Sequence, residues 1–190
     1  DSTVLCYELC KDGLRVHALF IDYGQHCAQT ELSTLRKVLP SGVEVQVVKI
    51  VDLYSHASSR LIQEADLWND EVHYDELYLP YRNLLLLTAG AAFAQSIGST
   101  SLYAAFINSN HAMEIDCSVG FFASLEVALT NYGGVQLTIP YRDLTKRDVA
   151  LRGIELNAPI GQTFSCQVGS EIPCGACPNC VDRLAALEGL

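Results

Sequence analysis

A chain of 190 residues suits one domain with a full core plus a small appendage, and 49% hydrophobic against 18% charged residues excludes a disordered chain. A formal net charge of -10 argues against direct nucleic-acid binding, which neutralises phosphates with Lys and Arg. No apolar run approaches the roughly 20 residues of a membrane helix, and the start "DSTVLCYELC" lacks the basic flank and apolar stretch of a signal peptide, so the expected location is the cytoplasm.

In chain order, Asp1-Ser2-Thr3 read as a helix cap or as the end of a phosphate-cradling loop running into a helix. "VHALFID" (Val16 to Asp22) and the β-branched run "VEVQVVKI" (Val43 to Ile50) read as buried parallel strands. Between them Gln25 to Leu39 has helical apolar spacing and stops at Pro40 and Gly42, which completes a β-α-β unit. Asp52 to Leu79 is polar and weakly patterned, with the make-up of a helix fragment and a mobile lid loop. Asn83 to Ile97 reads as an apolar helix, Leu102 to Ile107 as a strand, Phe121 to Leu129 as a helix and Val135 to Pro140 as a strand. "LTKRDVALRGIEL" opens a further helix with Thr145 as N-cap and Asp148 three residues on. The fold class expected from this alternation is doubly wound α/β around a parallel sheet. Such sheets bind ligands beyond the carboxyl ends of their strands, which singles out Asp22-Tyr23-Gly24-Gln25, Asn108 to Asp116 and Tyr141 to Asp143.

Eight cysteines in a chain of alternating strands and helices indicate a reducing compartment rather than a disulfide scaffold, with Cys6, Cys10 and Cys27 as small buried apolar residues. The other pattern is "CQVGSEIPCGACPNC", in which Cys166, Cys174, Cys177 and Cys180 are spaced C-x7-C-x2-C-x2-C. Two consecutive x2 spacings with interleaved Gly and Pro make turns that aim thiolates at one point, and a structural zinc ion in a closed four-thiolate shell fits best. An iron–sulfur cluster is the rival, though its fourth ligand would lie downstream rather than upstream, and free thiols or a redox pair remain open.

Taken in order, "DST", "FIDYGQ", "LPYRNLLLLTAGAAFA", "EIDCSVGFFASLEVAL", "LTKRDV" and "C…PCGACPNC" resemble the 7-cyano-7-deazaguanine synthase family, over nearly the whole chain. That family carries the phosphate loop Ser-Gly-Gly-x-Asp-Ser, and Asp1 and Ser2 match its last two positions, so its glycines and the strand before them are expected upstream of Asp1. The resemblance implies a Rossmann-like, adenine nucleotide α-hydrolase-like sheet over residues 1–160, with a zinc-binding segment and helix over 161–190. It also implies a homodimer that uses ATP with Mg2+ to adenylate 7-carboxy-7-deazaguanine, forms the amide with ammonia, and dehydrates the reactivated amide to the nitrile. By the same resemblance Asp1, Ser2, Arg82 and Lys146 serve catalysis by cradling phosphate, placing magnesium and neutralising charge, while Thr3, Asp22, Tyr23, Gly24, Gln25, Asn83 and Asp116 contact ATP or substrate.

The chain departs from the family's sequence in three of its motifs. His26-Cys27 stand where Arg-His is expected, Ser118 replaces an Arg able to grip a carboxylate bidentately, and Tyr81 occupies the Gly position before Arg82. His111 and Glu114 lie in places the motifs do not explain. Beside the synthase reading stand a repurposed relative that transfers the activated group to another acceptor, such as a protein, as in anti-phage defence, and a non-catalytic zinc-knuckle module with a vestigial nucleotide loop.

Overall fold

The computed structural model of the protein describes residues 1–64, 75–107, 116–168 and 172–190. Its elements run α1 (Ser2–Lys11), β1 (His17–Asp22), α2 (Ala28–Val38), β2 (Glu44–Lys49), α3 (Arg82–Ser96), β3 (Ser101–Tyr103), α4 (Val119–Gly133), β4 (Gln136–Thr138), α5 (Lys146–Glu155) and α6 (Pro178–Leu187), with single 3-10 turns at Asp75–Leu77 and Ile160–Gln162. They group into two compact units, residues 1–2 with 80–146 and residues 3–79 with 147–190.

In the larger unit β1 and β2 pair in parallel, from His17 opposite Glu44 to Asp22 opposite Lys49. A parallel pair cannot be closed by a hairpin, and α2 supplies the crossover. α2 begins at Ala28 rather than at Gln25, because Gln25 is engaged in the turn that leaves β1: its Oε1 accepts the Tyr23 N–H at 2.9 Å. α2 ends at the extended Leu39, ahead of Pro40, as a proline disfavours helical backbone in the residue before it. α5 comes close to α1 at Gly153, where a Cβ would lie 2.6 Å from Ile160 Cγ2 and 2.9 Å from Val4 Cγ2. An ion pair between Arg152 and Glu8 links the same two helices. The start of α6 is fixed by Pro178 at its first turn, where a missing N–H costs nothing.

In the smaller unit β3 and β4 pair in parallel over three residues each, with α4 as the crossover. Leu87, Phe122, Leu125 and Leu137 form its core, flanked by a second cluster of Ala91, Ala94 and Val135. At Gly90 a Cβ would meet Leu102 Cδ1 at 3.0 Å, so α3 packs on β3 through its smallest side chain. α4 is longer than its apolar pattern: the Ser118 hydroxyl caps it by accepting Phe121 N–H at 3.1 Å, and Gly134 N–H bonds to the carbonyls of Leu129 and Thr130 at its end.

The fold is therefore mixed α/β with parallel strand pairs. The expected lid segment is described at 52–64 and 75–79 only, while His111 and Glu114 lie outside the described residues. Among the described residues no helix is long and apolar enough to cross a membrane.

Candidate catalytic and metal sites

Asp1 immediately precedes α1 and Lys146 opens α5. Lys146 Nζ donates to Asp1 Oδ2 at 2.8 Å, with both side chains largely sheltered. Two residues 145 positions apart thus meet at helix N-termini, where unpaired N–H groups and the helix dipole favour an anion. Ser2, the first residue of α1, is exposed and Thr3 is buried.

In the same unit Arg82 and Asn83 start α3, and Asn83 is 3% exposed. A buried amide must spend its donors and acceptors locally. Asn83 N–H donates to Asp116 Oδ2 at 3.3 Å, its Nδ2 donates to Asp116 O at 3.3 Å and to Cys117 Sγ at 3.0 Å, and Arg82 Nε donates to its Oδ1 at 3.4 Å. Arg82, Asn83 and Asp116 are thereby brought together, with Cys117, which the sequence motif contained but did not single out. Burial and the adjacent Asp116 carboxylate push the Cys117 thiol up to about 11, against smaller lowering effects from Arg82 and Asn83. At neutral pH it is a thiol that packs and accepts a bond, and not a nucleophile.

In the other unit Asp22 to Gln25 follow β1 at its carboxyl end. Asp22 Oδ1 accepts Gly24 N–H at 3.1 Å, closing a tight turn. Gly24 sits at φ +91°, and a Cβ there would lie 2.7 Å from the Val51 carbonyl oxygen, so no other residue fits without moving backbone. Tyr23 is buried with its ring edge-on to Tyr54, centroids 6.2 Å apart. Gln25 is buried too, its Nε2 donating to Glu31 Oε2 at 3.0 Å and to the Ile21 carbonyl at 3.4 Å. Asp22 and Gly24 form the outer part of this turn, while Tyr23 and Gln25 hold it from inside.

The cysteines converge as their spacing requires. One Sγ from each of Cys166, Cys174, Cys177 and Cys180 lies within 4.8 Å of the others. A tetrahedral zinc with Zn–S of about 2.3 Å needs sulfurs about 3.8 Å apart, and Cys174 and Cys180 stand at 4.0 Å. Backbone N–H groups of Val168 and Cys174 point at Cys166 Sγ, both at 3.4 Å, and Cys177 N–H points at Cys174 Sγ at 3.2 Å. Such donors stabilise thiolate charge, so the donor set fits a metal ion. Without one, a hydrogen bond with Cys166 and burial push Cys177 up, and burial pushes Cys180 up. Arg183 of α6 bonds Thr163 Oγ1 and the Ile160 carbonyl, each at 2.6 Å, fixing the helix behind this site.

These features define a class: a mixed α/β protein of parallel strand pairs, with polar turns at strand ends and a four-cysteine site able to hold a metal ion. A family model described as "Queuosine biosynthesis protein QueC" matches residues 1–190. Relatives named 7-cyano-7-deazaguanine synthase include one from Thermoplasma acidophilum, 34% identical over 97% of this chain and 81% of its own. Others are from Hahella chejuensis, 32% identical over 99% of this chain and 84% of its own, and Methanoregula boonei, 33% identical over 99% and 89%. The chain belongs to the QueC family of biosynthetic enzymes.

Proposed function

We propose that this chain is an ATP-dependent nitrile-forming synthase acting on 7-carboxy-7-deazaguanine in the cytoplasm, with zinc in the four-cysteine site. The observation that carries the reading is the match of the whole chain to relatives named 7-cyano-7-deazaguanine synthase. In this reading residues 1–160 form the nucleotide-handling domain of a homodimer, and 161–190 the metal-binding tail.

A carboxylate is a poor electrophile, so its oxygen attacks the α-phosphorus of ATP and expels pyrophosphate. Ammonia then adds to the acyl carbon and AMP departs, leaving an amide. Adenylation of the amide oxygen and loss of AMP with that oxygen, together with the nitrogen's protons, gives the nitrile. Little covalent work falls to the protein, whose task is to align phosphates and neutralise charge. Lys146 leaves Asp1 to meet the phosphates, Ser2 and the first N–H groups of α1 cradle them, and Arg82, braced on Asn83, supplies the second cation. Magnesium bound with ATP would add charge neutralisation, with Asp1, the ion-pair partner of the Lys146 ammonium, as its carboxylate. Zinc in the tail is structural and shares in no step.

One observation favours a second reading, in which a different acceptor takes the activated group. Where the resemblance expects an Arg, Ser118 spends its hydroxyl on capping α4 and offers no fork to a carboxylate. The test is mass spectrometry of protein incubated with ATP, magnesium, ammonia and 7-carboxy-7-deazaguanine. Nitrile from the wild type and none from Asp1→Ala supports the synthase. ATP binding without nitrile moves the assignment to the second reading, and the absence of any ATP-induced thermal shift removes both.

A further inference from the structure

The residues at the departure His26-Cys27 have partners. The turn after β1 reaches the cysteine knuckle through a polar bond from His26 Nε2 to the Gln167 carbonyl at 2.8 Å, across 141 residues of sequence. A carbonyl only accepts, so Nε2 carries the proton and Nδ1 is left to accept from the Cys27 thiol at 3.4 Å. The His26 backbone N–H donates to Leu61 O at 3.1 Å, so both ends of the residue are held. Cys27 is 3% exposed, and burial, followed by the Glu31 carboxylate, pushes its thiol up to about 12, which keeps it a neutral donor to His26. On the other side Gln167 sits between the ligand Cys166 and Val168, whose N–H points back at Cys166 Sγ. The carbonyl that His26 binds is therefore oriented by the same two residues that present a sulfur to the metal.

We propose that His26 is a positioning residue that couples the metal site to the Asp22–Gln25 turn, so that a bound metal sets the geometry of that turn. The inference rests on reading the four cysteines as a metal site and this turn as part of the substrate side. A bound ion fixes Cys166, Cys166 fixes the Gln167 carbonyl, and the carbonyl fixes the imidazole that ends the turn. With the Arg-His pair that the resemblance expects here, position 26 would carry a guanidinium and the imidazole would move to position 27.

The test needs no turnover. Zinc content of the purified protein is measured first. Hydrogen exchange of amides 23–27 is then followed in zinc-loaded wild type, chelator-stripped wild type, His26→Leu and His26→Gln, with amides 45–48 of β2 as the internal reference. Zinc release to a chromogenic chelator is timed in the same samples. His26→Leu is expected to release zinc roughly tenfold faster and to exchange amides 23–27 as the stripped protein does, with the β2 amides unchanged. His26→Gln, whose amide Nε2 replaces the ring donor, is expected to restore both. If His26→Leu matches wild type, or zinc release changes without loop exchange, the coupling is wrong while the metal site stands. Should the purified protein hold no metal and bind none, both the metal reading and the coupling fall. Neither result depends on whether the nitrile is made.

Discussion

Tyr81 precedes α3 at φ 57° and ψ 15°, a left-handed conformation that crowds the Cβ of any L residue and costs about 1–2 kcal/mol. Tyr81 is 73% exposed, so side-chain packing returns little of that cost. Its carbonyl accepts the Leu85 N–H at 2.9 Å, the first bond of the helix, so the conformation cannot relax without losing the start of α3. Replacing Tyr81 by Gly removes the crowding but adds about 0.4–1 kcal/mol of chain entropy to the unfolded state. The net expectation is a gain of about 0.5–1 kcal/mol, which for a chain of this length raises Tm by about 1–3 °C. Tyr81→Ala is the control, since it loses the ring and keeps the crowding, and is expected at or below wild type. Thermal unfolding by circular dichroism, in reducing buffer with zinc present, reads all three. A Tyr81→Gly protein no more stable than Tyr81→Ala would show that the left-handed backbone is not strained, or that the exposed ring makes contacts that matter.

Three further outcomes follow from the packing. Gly153→Ala forces a Cβ against the branched carbons of Ile160 and Val4, and is expected to lower stability by about 1–3 kcal/mol in urea unfolding, whereas an unchanged midpoint would mean that α1 and α5 separate freely. Ser118→Ala removes the cap of α4 and should cost about 1 kcal/mol by the same measurement, with Ser118→Asp retaining it. Burial, then the neighbouring Cys10, raises the Cys6 thiol from 9.0 to about 11. The native state keeps a proton that the unfolded chain gives up, so this stability is complete below pH 9 and is lost as pH rises towards 11, by at most about 2.7 kcal/mol. Cys6→Ala should therefore flatten the fall of Tm between pH 9 and 11, and parallel curves would contradict the assignment.

Local rules carried the β-α-β unit far: the two strands were expected within a residue of His17–Asp22 and Glu44–Lys49, because apolar runs bounded by Gly and Pro leave few alternatives. They overran at β3 and β4, where six-residue runs give three-residue ladders, flanked by the bonds Gln136 N–H to Thr100 O and Ala104 N–H to Thr138 O. A run of apolar residues reports burial, and burial continues at Phe106 and Ile139 after the pairing has ended. The convergence of the four cysteines was legible because consecutive x2 spacings with Gly and Pro between them turn the thiols toward one point. The Asp1–Lys146 and His26–Gln167 contacts were not legible as pairs, because nothing in a local pattern encodes a partner 145 or 141 residues away. Gln25 shows the same limit on a small scale: its motif points to a ligand, while its amide is spent on Tyr23, Ile21 and Glu31.

The larger unit is discontinuous in sequence, residues 3–79 being completed by 147–190, whereas nearly all of the smaller one is the single stretch 80–146. On the ribosome the larger unit, most of which is made before residue 80, is nevertheless the one completed last. After residue 79 is made, about 100 more residues must follow before Cys180 can close the knuckle, roughly 5–20 s at ordinary rates of synthesis. For that interval β1 and β2 stand without α5, α6 and the His26–Gln167 bond, and metal can be captured only at the end. Proteolysis of ribosome-bound chains stalled before and after Cys180 would time this step. In the reading with zinc at the four cysteines, the ion would be the last clasp of a half-built unit, and a cell short of zinc would accumulate protein whose smaller unit is finished while its larger one is open.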